Sequence, residues 1–359
     1  MQKSPTRHKP IFTYIYGMEL FTKVATPKAS FKIDYTSHIA FFGSCFANNI
    51  SSQFANRKFH TLANPFGTVY NPVSMARQVK AIASGKVFGE EDVFQDARCD
   101  RLWHCFDAHS SLSASSREEC IEKLNAATTQ AREFLQNADV VFITLGTAFV
   151  YFLKSTGDAV SNCHRQDPSL FERRMIPVEE SARALESIVQ DLAKIKQDWI
   201  LPPARGPGLK AEMASHFSIA QNDAHSPRIV FTVSPLRHMA DGAHENSLSK
   251  ATLQLAINKT GAEYFPSYEI VIDELRDYRF YADDMVHLSK TAEDYIFERM
   301  VETYCNERTR GDIAAVEKFL KSANHRIVDV DSPATQEFKK KLASQAAELK
   351  KQIPGLSLH

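Results

Sequence analysis

Three times along the chain a short, almost wholly apolar run stops at a turn residue. His38 to Gly43 reads His-Ile-Ala-Phe-Phe-Gly, Asp139 to Leu145 reads Asp-Val-Val-Phe-Ile-Thr-Leu before Gly146, and Arg228 to Val233 reads Arg-Ile-Val-Phe-Thr-Val before Ser234-Pro235. A run that is apolar at odd and even positions alike suits a strand covered on both faces, the situation in a parallel sheet. After Gly43, Phe46, Ile50 and Phe54 recur every four residues, the spacing of one buried helix face. Arg117 to Gln136 and Val178 to Ile195 are longer amphipathic stretches, and His60 to Ala63 and Ala262 to Phe265 are shorter candidate strands. About five strands separated by helices predict an α/β protein: a three-layer α/β/α sandwich around a mostly parallel sheet.

Charge narrows the partners. The 359 residues carry 43 Lys+Arg against 43 Asp+Glu, so the cation excess that a duplex-binding protein needs is missing and nucleic acid is not an expected partner. The apolar stretch Ile11 to Phe21 is broken by Gly17 and Glu19, so no membrane span or signal peptide is predicted. The six cysteines include no C-x-x-C pair, and free thiols in a cytoplasmic protein are expected. Met18 opens Met-Glu-Leu-Phe-Thr and is a second candidate start, which makes residues 1–17 an extension, 18–305 the main domain and 306–359 a helical tail. In that tail Phe338, Leu342 and Leu349 lie among Lys339, Lys340, Lys341, Lys350 and Lys351, the pattern of a solvated terminal helix. Residues 84–116, rich in aromatics and histidine, are expected to cover a pocket; residues 201–226, with Leu-Pro-Pro-Ala-Arg-Gly-Pro-Gly and no apolar period, are expected to form a surface insertion.

Chemistry in open α/β sheets gathers at the carboxyl ends of strands. The first such end is Gly43-Ser44-Cys45, which places Cys45 at a helix start, where unpaired N–H groups and the dipole favour a thiolate and are expected to lower the thiol pKa. Asp284 and His287 are three residues apart, close enough for the carboxylate to fix the imidazole tautomer and make His287 a base. His104, His109, His164, His238 and His244 show neither H-x-x-x-H nor H-E-x-x-H spacing, so no metal is assigned to them and roles in substrate binding or structure are expected. Asn162-Cys163-His164 sets a second thiol beside a histidine. Arg173, Arg174 and Arg237 are candidates for an anionic substrate group. Ser249-Lys250 reads as the first turn of a helix capped by Asn246, with a Ser-Lys dyad as the alternative.

The pentapeptide Gly43 to Ala47, with Asn64 to Pro72, Leu102-Trp103-His104, Leu145 to Ala148, Asn162-Cys163-His164, Ser234-Pro235, Asp241 to Asn246 and Tyr278 to His287, resembles the GSCFA family, bacterial proteins similar to the SGNH (GDSL-like) esterases and acyltransferases. That resemblance implies an SGNH-like sandwich with flavodoxin-like strand order. It also implies Cys45 as nucleophile in the place of the usual serine, His287 as base and Asp284 as its orienting carboxylate. Ser44 stands where the usual aspartate does. Gly67 matches the second-block oxyanion donor. The third-block G-x-N-D corresponds to Gly146-Thr147-Ala148-Phe149, where Ala148 cannot supply the side-chain donor of the family asparagine. Loss of such a donor costs about 10²–10³-fold in turnover. Asn64, Asn71, Thr147 and the Cys45 N–H are the candidate substitutes, and Gly146, His104 and His164 are further candidates for the substrate site. The expected function is a hydrolase or O-acyltransferase acting on ester bonds, of a small molecule or carbohydrate, with no cofactor beyond an acyl-CoA donor if it is a transferase. The alternatives are an inactive carbohydrate- or nucleotide-binding module on the same fold and a metal-dependent hydrolase.

Overall fold

The computed structural model describes residues 22–95, 101–200, 227–325 and 332–358, with the pairs 14–15 and 18–19. The proposed insertion at 201–226 and most of the proposed extension lie outside the described residues. In chain order, β1 (His38–Gly43) runs into α1 (Cys45–Asn56) and β2 (His60–Ala63), and α2 (Pro72–Ser84) and α3 (Arg117–Gln136) lead to β3 (Val140–Leu145). An antiparallel ribbon follows, made of β4 (Phe149–Leu153), β5 (Ala159–Val160) and β6 (Phe171–Met175). Then come α4 (Val178–Ile200), β7 (Arg228–Val233), α5 (Ala243–Thr260), β8 (Glu263–Tyr264), α6 (Lys290–Tyr304), α7 (Glu307–Ala323) and α8 (Pro333–Gln352).

The five sheet strands are all parallel and ordered β2-β1-β3-β7-β8. This is the flavodoxin-like order and confirms the expected fold class. The pleat sends alternate side chains of each strand to opposite faces. Ala40, Phe42, Val141, Ile143, Ile229 and Phe231 pack with α2, α3, α4 and α5. Ile39, Phe41, Val140, Phe142 and Val230 pack with α1, α6 and α7. In register, Phe41 stands beside Phe142, their rings stacked 5.3 Å apart, and each such burial contributes about 2 kcal/mol. Both faces of the central strands are therefore dry, which accounts for their continuous apolar spelling.

Strand order reverses between β1 and β3. The chain leaves β1 towards one face, into α1, and leaves β3 for the ribbon and then α4 on the other. The diverging connections open a crevice at the carboxyl end of the sheet.

Two expectations about the periphery are corrected. Among the described residues of 84–116, none lines the large cavity at this end of the sheet. The segment supports the cavity wall from behind instead, since the Phe106 carbonyl accepts from the N–H groups of Ser161 (2.8 Å) and Asn162 (3.3 Å). The tail is not only a solvated helix: beyond α8, Ile353 and Leu356 are buried in the α1/α6 face, and the Gly355 carbonyl bonds His60 Nε2 at 2.9 Å. The chain returns to the sheet edge at β2, and this anchors a helix whose lysines stay in water.

Candidate active site

Gly43 sets the geometry. Its φ is +135°, and a Cβ built there would lie 2.0 Å from the Thr144 carbonyl oxygen, so only glycine lets the end of β1 lie against β3. The Gly43 N–H donates to Asn64 Oδ1 at 2.7 Å. Ser44 is the extended N-cap of α1. Its hydroxyl, fully buried, donates to Ser234 Oγ at 3.1 Å, tying the end of β1 to the end of β7. Cys45 then falls on the first residue of α1, half-buried.

The Cys45 thiol does not have the lowered pKa expected of it. Burial pushes it above the ordinary thiol range and outweighs the N–H groups of Cys45 and Phe46, which pull the other way; the nearby carboxylates of Glu293 and Asp284 add to the rise. Desolvation of the thiolate is larger here than the helix-start effect. The thiol is the resting form at neutral pH, and a nucleophilic role needs a base.

His287 and Asp284 sit on the loop before α6. Asp284 Oδ1 accepts from the N–H groups of Val286 and His287, both at 2.9 Å, and Oδ2 meets His287 Nδ1 at 2.6 Å. The imidazole contact and the two amides hold the Asp284 carboxyl down at about 2, so it is ionised throughout the physiological range and directs the Nδ1 proton towards itself. Met285, with φ +57°, makes the tight turn between them. His287 Nε2 makes no hydrogen bond among the described residues, including none to Cys45.

Cys45 and His287 line one cavity of about 520 Å³. Its wall includes Phe149 and Tyr151, alternate residues of β4, together with Arg173 of β6, whose guanidinium lies 4.3 Å from the Phe149 ring centroid and donates to Asp241 at 2.7 Å. Leu236, Arg237 and His238 follow β7, and Tyr70, Asn71, Thr147 and Cys163 complete most of the remainder.

Of the catalytic and oxyanion candidates selected from sequence, the structure brings together Cys45, His287, Asn71 and Thr147, with Asp284 directly behind His287; the further candidates Cys163, Arg173, Arg237 and His238 line the same cavity. It does not bring in Gly67, whose N–H is spent on the Asn64 carbonyl at 2.7 Å, or Gly146, whose N–H is spent on the Tyr70 carbonyl at 2.7 Å. The Thr147 N–H also donates to Tyr70 (3.0 Å), and its hydroxyl is paired with Ser249 Oγ at 3.0 Å. Asn64 is committed through both amide atoms, to the Gly43 N–H and to Asn48. Asn71 Oδ1 caps α2 through the Ser74 N–H, leaving its Nδ2 uncommitted among the described residues. The Cys45 N–H and Asn71 Nδ2 are thus what survives of the candidate oxyanion donors.

His104 and His164 lie elsewhere. Their rings stack 4.5 Å apart, buried, with His104 Nδ1 on Ser113 Oγ (2.7 Å) and His164 Nε2 on the Cys105 carbonyl (2.8 Å). Burial takes the His164 pKa down to about 4. His164 turns away from Cys163, and burial pushes the Cys163 thiol up to about 11, so the neighbouring histidine does not activate it. His109 Nδ1 accepts from the Ser111 N–H at 3.2 Å in a local turn. Arg174 is engaged by Glu180 through two contacts, at 3.0 and 3.1 Å. Asn246 is not the helix cap: α5 begins at Ala243, and Asn246 Oδ1 accepts from the His238 N–H. Lys250 is fully buried, with Nζ on the carbonyls of Gly146 (2.6 Å) and Ser234 (2.8 Å), so it braces the ends of β3 and β7 and forms no dyad with Ser249. Among the described residues no three His, Cys, Asp or Glu side chains converge as a metal site would require.

The ribbon β4–β6 and its wall residues Phe149 and Tyr151 were not read from sequence. The signal was present in the Phe-Val-Tyr-Phe-Leu run followed by the Thr156-Gly157-Asp158 turn.

An open parallel α/β/α fold with a thiol at the first strand end and an acid-held imidazole at the last loop defines a class of cleft-bearing α/β proteins. Within it, the chain belongs to the GSCFA family, whose model matches residues 38–201 and 209–300. No curated protein matches the chain. No helix among the described residues is long and apolar enough to cross a membrane.

Proposed function

We propose that the chain is an SGNH-like enzyme that forms an acyl-enzyme on Cys45 and passes the acyl group to water or to a hydroxyl, such as that of a carbohydrate. The observation that carries this reading is the shared cavity: a thiol on the first turn of α1 and an imidazole held at 2.6 Å by a carboxylate both face the same space. His287 Nε2 takes the Cys45 proton as Sγ attacks the ester carbonyl, and the S–C bond forms. The Cys45 N–H, which faces the thiol at the helix start, donates to the developing oxyanion. On collapse the C–O bond breaks, the alcohol leaves with the proton from His287, and a thioester remains. In the second half-reaction His287 deprotonates water or an acceptor hydroxyl, which displaces Sγ and returns the thiol. Asp284 stays ionised and stabilises the imidazolium.

The raised thiol pKa suits this sequence, because it makes proton transfer to His287 part of the chemical step. A catalytically silent carbohydrate- or nucleotide-binding module is the second reading, supported by the absence of a Cys45–His287 hydrogen bond and of a third-block donor at Ala148. Incubating the full chain with 4-nitrophenyl esters and acyl-CoA donors, followed by intact mass, separates the two. The expected result is an acyl adduct on wild type, none on Cys45→Ala, and turnover at least about 10³-fold lower in Cys45→Ala and His287→Ala. No adduct and no turnover with any donor leaves the binding module as the surviving reading.

A further inference from the structure

The cavity has a charge asymmetry that the acyl-transfer chemistry does not use. Among the described residues two guanidinium groups line it, those of Arg173 and Arg237, and no aspartate or glutamate does. The carboxylates nearest the chemistry are each engaged: Asp241 with Arg173, Asp284 with His287, and Glu293 with Asn49. Arg173 is therefore neutralised from behind. Arg237 has no carboxylate within 4.0 Å among the described residues.

Arg237 is also held in place. Its backbone N–H donates to the Val286 carbonyl (3.2 Å), one Nη1 hydrogen donates to the Met285 carbonyl (3.0 Å), and the guanidinium lies 5.6 Å from the Tyr281 ring centroid. A guanidinium carries five N–H donors, and one is spent here. What remains is a planar fork, pre-positioned beside the His287 loop, and such forks bind carboxylate and phosphate through paired, charge-assisted bonds. Asn71 Nδ2, another cavity group without a partner among the described residues, is a donor as well, whereas the unpaired Nε2 atoms of His287 and His238 are neutral imidazole nitrogens. A site supplied with donors and lacking a free carboxylate suits a ligand rich in acceptor oxygens. Since the chain as a whole has no net charge, net charge does not draw such a ligand in, and a cation at the cavity is the local attraction.

We propose that the substrate of this cavity bears an anionic oxygen group, a carboxylate or a phosphate, and that Arg237 binds it. This deepens the acyl-transfer reading, resting on it for the identity of the cavity, and names the class of molecule acylated or deacylated there.

Calorimetric titration of the full-length Cys45→Ala chain, which needs no turnover, tests it with D-glucuronate, glucose 6-phosphate and succinate as anions and glucose as the neutral comparator. At least one anion binds about tenfold or more tighter than glucose, a difference within reach of one charge-assisted pair. Adding Arg237→Gln removes that preference, so that the anion-to-glucose affinity ratio falls to about one, and Arg237→Lys, which keeps the charge and loses the fork, falls between. Preference for glucuronate and succinate identifies a carboxylate, and preference for glucose 6-phosphate a phosphate. Equal binding of anions and glucose, no anion binding, or anion selectivity that survives Arg237→Gln overturns the proposal. Where Arg237→Gln does not fold, Arg237→Lys and the anion-to-glucose ratio of the parent decide. Anion selectivity without any acyl adduct on the wild type leaves this inference standing and counts against acyl transfer alone.

Discussion

The ends of β1 and β3 lie side by side in one sheet, follow the same apolar spelling and close on glycine, yet they are finished in opposite ways. After β1 the chain turns straight into α1, the Ser44 side chain caps no N–H, and the amides of Cys45 and Phe46 face the thiol. After β3 nearly every polar atom of the turn is spent. The N–H groups of Gly146 and Thr147 both donate to the Tyr70 carbonyl, the Ala148 N–H donates to Ser249 Oγ at 2.7 Å, and the Gly146 carbonyl accepts from Lys250. A strand end can stabilise a developing oxyanion through its own backbone only where N–H groups are left facing the site. By that measure the β1 end is the one left free to act, as the proposed function requires, and the β3 end is scaffold, although both carry family motifs.

The sharpest way to break this pair is at their point of contact. Gly43→Ala sets a methyl 2.0 Å from the Thr144 oxygen at φ +135°, combining overpacking against backbone with a backbone region that side chains rarely adopt. The expected loss is about 3–5 kcal/mol, read as a fall in the denaturation midpoint or as loss of soluble protein. A variant as stable as wild type would mean that the two strand ends do not touch.

Lys250→Met comes next and carries a pH signature. Burial takes the Lys250 pKa from 10.5 down to about 7, so between those values the unfolded chain holds a proton that the folded chain has released. Wild-type stability therefore rises with pH across that window relative to the methionine variant, and is flat on either side. The variant leaves two carbonyls without their donor, a loss of about 1–3 kcal/mol. The gap in urea midpoint between wild type and variant should be smallest at pH 6 and largest at pH 10. A gap that narrows as pH rises would show that the ammonium, not the amine, is the form the carbonyls hold.

The sheet was legible because β1, β3 and β7 are buried on both faces, and that leaves a continuous apolar run which no distant contact has to explain. Cys45 and the Asp284–His287 pair were legible for a related reason: a turn into a helix and a three-residue spacing are local, and local geometry is written in adjacent residues. What tertiary contacts decide was not legible. Gly67, Gly146, Thr147 and Asn64 all looked available as donors, and each is occupied by a partner brought in from another segment or across a turn. His104 and His164 appear near strand ends in the chain, but stack on one another away from the cavity. The direction of the Cys45 shift was misread because the helix start is visible in sequence whereas the depth of burial is not. The ribbon β4–β6 depends on pairing Phe149–Leu153 with residues some twenty positions later, which no periodicity announces.

The smallest effect tests whether the two strand ends are independent. Ser249 Oγ is the partner of the Ala148 N–H and of Thr147 Oγ1, so Ser249→Ala orphans a buried backbone donor at a cost of about 1–2 kcal/mol. Nothing in the β1 turn rests on Ser249: Gly43 is held by Asn64, and Ser44 by Ser234. The rate of Cys45 alkylation by iodoacetamide, followed by peptide mass, should then stay within about twofold of wild type, because the thiol keeps its burial and its facing amides. Alkylation should rise with pH well into the alkaline range in both proteins, since the raised thiol pKa delays the thiolate. If Ser249→Ala changes the alkylation rate tenfold or displaces its pH dependence, loosening the β3 turn has reached Cys45. The β3 turn would then be part of the reactive site, and the division between a chemical strand end and a structural one would fail.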